Sequence, residues 1–299
     1  MQSDRSFPNA GMALVLTVGV VVLQIICSIP LEIAGTIYAA VTHRPTPHLT
    51  QHPLVLGIIN ILAFGGMIAL GIRLARVPTR EIFALRPVRP VLLLPILIGT
   101  LGATALLSEA DNLFRYVFPM PEMIADFFRD LVSKEAGWWS PFFVMVLVAP
   151  TTEEVMFRGL VLRGLLTRHG VRTAVLISAA LFALGHVNPW QLISAGGLGL
   201  LFGWWFYRTR SIVPGLIGHA LVNGSALAVF QLPVEITGFN EGDPTAAVEF
   251  QPLWFDGLGL LMLASGTWLF HRLAPRPPPP PAVYDGPPPP FIEPPAATA

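Results

Sequence analysis

Charge is scarce in this 299-residue chain. Lys and Arg number 18, Asp and Glu number 18, the formal net charge is zero, and charged residues make up only 12%. A soluble globular domain carries about 25% charged residues, so a water-facing surface would be hard to build from this composition. The 53% hydrophobic content excludes a disordered chain, which needs low hydrophobicity and high net charge. The lack of a basic excess argues against a nucleic-acid partner. Cysteine is all but absent. Cys27 stands alone, so neither an intramolecular disulfide nor a cysteine-based metal site can form. Lys134 is the only lysine, and we read the preference for arginine as composition rather than function.

What is present in quantity is long apolar sequence. Candidate transmembrane helices cover 11–40 (with a break expected near Pro30), 54–72, 91–108, 141–166, 173–187, 192–207, 212–232 and 253–271. About 20 apolar residues cross the hydrocarbon core of a bilayer. The first span follows Arg5 and resembles a signal peptide in outline, but it is too long and seven more spans follow, so it reads as a signal anchor or first helix. The expected class is all-α, a polytopic transmembrane helix bundle of about eight helices. Three parts are expected: N-terminal transmembrane helices with an interfacial segment over 1–140, a catalytic transmembrane core over 141–272, and a proline-rich disordered tail over 273–299.

The loops test that count. Arg73, Arg76, Arg80, Arg86 and Arg89 fall between the second and third spans. Arg163, Arg168 and Arg172 follow the fourth, Arg208 and Arg210 the sixth, and Arg272 and Arg276 the eighth. The intervening loops are acidic, with Glu109, Asp111, Glu122, Asp126, Asp130 and Glu135 in one and Glu235, Glu241, Asp243 and Glu249 in another. By the positive-inside rule this alternation predicts eight spans with both termini in the cytoplasm, as in a bacterial plasma membrane. Residues 112–134 mix apolar and charged positions around Pro119 and Pro121, which predicts one or two amphipathic helices at the interface. From Pro275 onward there are twelve prolines, so the tail reads as polyproline-type and offers a docking site for a proline-binding partner.

Ionisable residues inside a membrane cost roughly 2.5–3.5 kcal/mol each on insertion scales, and function is the default reason for keeping them. Here they gather on three helices. The fourth span holds Thr151, Thr152, Glu153, Glu154 and Arg158, the fifth ends with Phe182 and His186, and the seventh holds His219 and Asn223. Glu154 and Arg158 are four apart and share a face. Glu153 is turned about 100° away and is left out of that pairing. Phe182 lies one turn below His186, and His219 one turn from Asn223. Pro150 can kink the fourth helix and widen a cavity beside it.

A free carboxylate and an imidazole can hold and deprotonate a water, while a second imidazole and an amide can donate to a developing oxyanion. That is an apparatus for hydrolysing an amide without a covalent intermediate. Glu153, His186 and His219 could instead bind a divalent metal such as Zn²⁺, which lowers the pKa of bound water to roughly 7. A proton-coupled transporter would also place Glu, His and Arg in the membrane, but no inverted repeat with broken helices is visible. A membrane scaffold whose tail recruits partners is a third reading.

The stretch Glu153-Glu154-Val155-Met156-Phe157-Arg158 resembles the EExxxR motif of the CPBP family. This family comprises the type II CAAX prenyl endopeptidases, bacteriocin-processing enzymes and bacterial relatives, also called the Abi family. Phe182-Ala183-Leu184-Gly185-His186 resembles its FxxxH motif, and His219-Ala220-Leu221-Val222-Asn223 its HxxxN motif, in the family's order. The resemblance covers about 141–232. It implies an intramembrane protease, metal-dependent or using a metal-independent glutamate mechanism, that acts on a membrane-associated peptide or protein among membrane lipids. It also implies that Glu153 and His186 activate water, that His219 and Asn223 form the oxyanion hole, and that Glu154, Arg158 and Phe182 support the site. The span limits put His186 near the outer end of its helix and Glu153 and His219 near mid-membrane.

Overall fold

A computed structural model describes residues 7–46, 49–75, 77–131, 138–229, 235–240 and 247–276. Ten helices and no strand occur among them. They are α1 (Ala10–Thr42), α2 (Pro53–Ala75), the short α3 (Thr79–Phe83), α4 (Leu93–Val117), α5 (Glu122–Leu131), α6 (Trp139–Leu165), α7 (Val171–Gly185), α8 (Leu192–Thr209), α9 (Val213–Val229) and α10 (Leu253–Leu273). The chain is therefore an all-α bundle. The eight longer apolar helices coincide with the eight expected spans. Five of them, α1, α2, α6, α10 and α4 with its leading turn from Pro90, are long and apolar enough to cross a membrane. Bulky apolar side chains such as Leu14, Val18, Ile25 and Ile29 on α1 and Leu260, Leu261 and Trp268 on α10 face outward. Exposed apolar surface on that scale is a liability in water and natural in lipid, and it fits an integral membrane protein.

Two expectations need correction. The first helix does not break at Pro30 but runs on to Thr42, 33 residues in all. Proline removes one N–H, which frees the carbonyl of Ile26, and a membrane helix tolerates that loss without breaking. The third span does not stop at 108 but continues to Val117, so Glu109 and Asp111 stand on a helix rather than in a loop. The extension is held by the segment before α10. Glu109 Oε2 accepts from Gln251 N at 3.0 Å, and buried Asn112 donates to Gly238 O at 2.6 Å. The amphipathic expectation resolves into α5 alone, where Arg129 pairs with Asp126. The proline run from Pro277, Arg5, Arg76, Lys134, Glu135, Glu241 and Asp243 lie outside the described residues.

Two apolar cores lie side by side. One joins α1, α2, α6 and α7 through residues such as Leu16, Phe64, Phe157, Leu160 and Phe182. The other joins α4, α8 and α10 through Ile96, Phe202, Trp205 and Phe270. Helices in lipid gain no hydrophobic drive from one another, so small residues let backbones close on each other. At Gly102 of α4 a Cβ would lie 2.3 Å from Leu263 N and 2.6 Å from Gly259 O, both backbone atoms of α10. Gly102→Ala must therefore push the two helices apart. We expect a loss of roughly 1–3 kcal/mol, the usual cost of overpacking, read as a lower unfolding midpoint in detergent.

The basic segments meet at one end of the bundle. Arg163 donates to Phe7 O at 2.9 Å, Ser211 Oγ to Arg86 O at 2.7 Å, and Arg89 to Leu273 O at 3.3 Å. Glu109, Asn112, Gly238 and Gln251 join at the other end, where Trp190 Nε1 also donates to Phe118 O at 2.7 Å. The charge segregation legible in the loops is thus a segregation along the bundle axis.

Candidate active site

The fourth long helix, α6, is unusual along its length. Residues Phe143–Val148 and Val155–Leu162 are wound as π-helix, and Ala149–Glu154, which contains Pro150, is α-helical between them. π-Turns are rare and recur at functional sites. Wider winding leaves backbone carbonyls available for side chains. Asn223 Nδ2 of α9 donates to Met145 O at 2.8 Å, and Ser178 Oγ of α7 donates to Phe157 O at 3.1 Å. Both bonds tie a neighbouring motif helix onto α6.

Glu154 and Arg158 form the expected pair, with Arg158 NH1 2.9 Å from Glu154 Oε1. Their side chains are 0% and 1% exposed, so the pair is fully desolvated. Arg158 is also sandwiched by aromatic rings, its guanidinium carbon 4.4 Å from the Phe182 centroid and 5.5 Å from that of Phe202. Glu153 does not join the pair. Its Oε2 is buried and has no hydrogen-bond partner among the described residues.

His219 stands between the two carboxylates. Its Nε2 is 3.9 Å from Glu153 Oε2 and its Nδ1 is 3.4 Å from Glu154 Oε1. Whichever ring nitrogen carries the proton, a carboxylate lies within 4 Å of it. The space for this arrangement comes from Gly215, one turn earlier on α9, where a Cβ would lie 2.3 Å from Glu154 Oε2. Gly215→Ala should displace that carboxylate and, with it, His219. A misplacement of about 1 Å can cost about a hundredfold in rate. We expect a loss of that order in cleavage rate, with a lowered thermal midpoint because the displaced carboxylate belongs to a buried ion pair. Unchanged activity would dissociate Glu154 from the site.

His186 caps the end of α7, just after Gly185. Its Nδ1 lies 2.9 Å from Phe182 O. A carbonyl can only accept, so that bond requires the proton on Nδ1 and leaves Nε2 as the free ring nitrogen. The Phe182 ring stacks edge-on at 4.9 Å from the imidazole and 5.8 Å from His219. The next residue, Val187, has φ +53°, a left-handed conformation that a β-branched residue rarely adopts. Strain of this kind clusters at functional sites.

A cavity of about 370 Å³ brings Glu153, Phe182 and His186 together, with Gln24 of α1, Asn60 and Phe64 of α2 and Phe157 of α6 on its other walls. His219 and Asn223 stand outside its lining, His219 behind Glu153 and Asn223 on Met145. Asn60 and Gln24 were not anticipated. Asn60 is the lone polar side chain of its span, and that isolation was the available signal; Gln24 shares its span with Glu32 and several hydroxyl residues and did not stand out. Asn60 Oδ1 accepts from Thr152 Oγ1 at 2.7 Å, beside Glu153. The metal reading needs Glu153, His186 and His219 to converge on one ion. Among the described residues no group of three or more His, Cys, Asp or Glu side chains is placed to hold one. As placed here, Glu153, His186 and His219 do not converge on one point.

Residues 135–225 match the family model described as Type II CAAX prenyl endopeptidase Rce1-like. The match supports membership of the CPBP family. It contains all three motifs, from Glu153 to Asn223, and supports an intramembrane protease of the CAAX type in general terms. No curated protein and no solved structure matches the chain.

Proposed function

We propose that this protein is an intramembrane endopeptidase that hydrolyses a peptide bond in a membrane-associated substrate, prenylated CAAX-type or bacteriocin-like. The observation that carries this reading is the cavity itself. It sets the carboxylate of Glu153, which stands outside the Glu154–Arg158 pair, and the imidazole of His186 against phenyl walls suited to an apolar chain. Glu153 accepts a proton from a water that attacks the scissile carbonyl carbon, and His186 Nε2 helps to hold that water. The carbonyl oxygen becomes an oxyanion that needs hydrogen-bond donors; the family resemblance gives that role to His219 and Asn223, which stand outside the cavity's lining here and would have to turn toward the bound substrate to fill it. Glu153 then returns the proton to the leaving amine as the C–N bond breaks.

Before substrate binds, His219 lies against both carboxylates and braces Glu153 and Glu154 in one geometry. Arg158, packed on Phe182, holds Glu154 from the other side.

The test is direct. Full-length protein in lipid nanodiscs is incubated with a peptide ending in a prenylated CAAX sequence and with its unprenylated counterpart, and products are read by mass spectrometry. A new C-terminus formed by the wild type and absent with Glu153→Gln supports the assignment. Uptake of protons or solute into liposomes, with both peptides and a bacteriocin-like leader peptide left intact, would favour a transporter instead.

A further inference from the structure

At the basic end of the bundle, α8 and α10 enclose a second cavity, of about 500 Å³. It is lined by Trp204, Tyr207, Arg208, His271, Arg272 and Arg276. No carboxylate lines it, and no ion pair is recorded for Arg208, Arg272 or Arg276 among the described residues. A concave site with three guanidinium groups and no counter-charge is electrostatically incomplete, because its walls repel one another until an anion enters.

Its floor is rigid. Arg208 is buried, and its guanidinium donates to His271 O at 2.9 Å, Ala274 O at 3.3 Å and Pro275 O at 3.3 Å, which caps the C-terminal end of α10. It also lies 2.8 Å from His271 Nδ1. Arginine can only donate, so that imidazole nitrogen accepts and the ring carries its proton on Nε2, a further donor. Arg272 and Arg276 are exposed at the rim. The Arg272 guanidinium lies 5.5 Å from the Trp268 ring and that of Arg208 5.9 Å from Trp204. Aromatic rings of this kind belong at the headgroup level of a bilayer.

We propose that this cavity binds the phosphate of an anionic phospholipid. Guanidinium groups match phosphate oxygens in paired hydrogen bonds, and basic pockets between transmembrane helices are suited to such headgroups. The proposal concerns a face built from α8 and α10. It stands apart from the cavity of Glu153 and His186, and does not depend on proteolysis.

Native mass spectrometry of the full-length protein, released from micelles doped with phosphatidylglycerol or phosphatidylcholine, tests it. A thermal-shift arm compares sodium phosphate with sodium chloride at equal ionic strength. The variant is Arg272→Gln/Arg276→Gln, which leaves the Arg208 cap in place. Each rim arginine is worth about fivefold in affinity, so the variant should bind phosphatidylglycerol roughly thirtyfold more weakly. Retention of phosphatidylglycerol over phosphatidylcholine, lost in the variant, supports the lipid site. Stabilisation by free phosphate alone, lost in the variant, assigns the same anion site to a soluble ligand and overturns the lipid. Equal retention of both lipids, or equal binding by wild type and variant, overturns the site altogether.

Discussion

Glu153→Gln should lower the cleavage rate by about 10²–10⁴, the range that a positioned general base supplies. Glutamine keeps the size and planarity of the side chain but cannot take a proton from water. It should therefore leave substrate binding and the folded state intact. His186→Ala should cost a similar factor, because it removes the second cavity-lining group proposed to hold the attacking water. The two losses should not multiply in the double variant, since removing one member of a unit leaves little for the other to do. Initial rates on a peptide identified by mass spectrometry, with thermal midpoints measured alongside, decide the matter. If Glu153→Gln retains more than a tenth of wild-type activity at an unchanged midpoint, the base is another residue.

The second large effect concerns stability. Arg158→Met removes the cation that pairs with Glu154 in a site shut off from solvent. Removing one partner of a buried ion pair costs about 3–5 kcal/mol, whereas replacing both by apolar residues of similar volume is often neutral or stabilising. Arg158→Met should therefore destabilise the protein severely in detergent, and Glu154→Met/Arg158→Met should recover most of the lost midpoint. Activity should not recover with it. Glu154 Oε1 lies 3.4 Å from His219 Nδ1, and the apolar pair cannot hold that imidazole. A double variant both stable and active would reduce Glu154 and Arg158 to packing.

These predictions rest on features of different legibility. The long apolar runs made the eight longer helices readable, because burial in lipid is demanded residue by residue and leaves a mark over some 20 positions. The Glu154–Arg158 pair and the ring of Phe182 beneath His186 were readable because a helix brings residues four apart onto one face. The continuation of α4 to Val117 was not readable, because its charged last turns are stabilised from outside by Gln251 and Gly238, far along the chain. Nor was the unbroken course of α1 through Pro30 readable, because a proline within an apolar run marks a possible kink without deciding it.

Local sequence, then, determined the class of the protein, the positions of its helices and the candidate residues on three of them. Only the tertiary structure decided how those helices face one another. It set His219 between two carboxylates, turned the amide of Asn223 onto Met145, and opened a cavity where Gln24 and Asn60 join Glu153 and His186. The physical reason is range. Helix periodicity is a short-range rule carried by each segment alone. The approach of one helix to another depends on which small residues let backbones close, as Gly215 does for Glu154, and on π-turns whose carbonyls find partners only after packing.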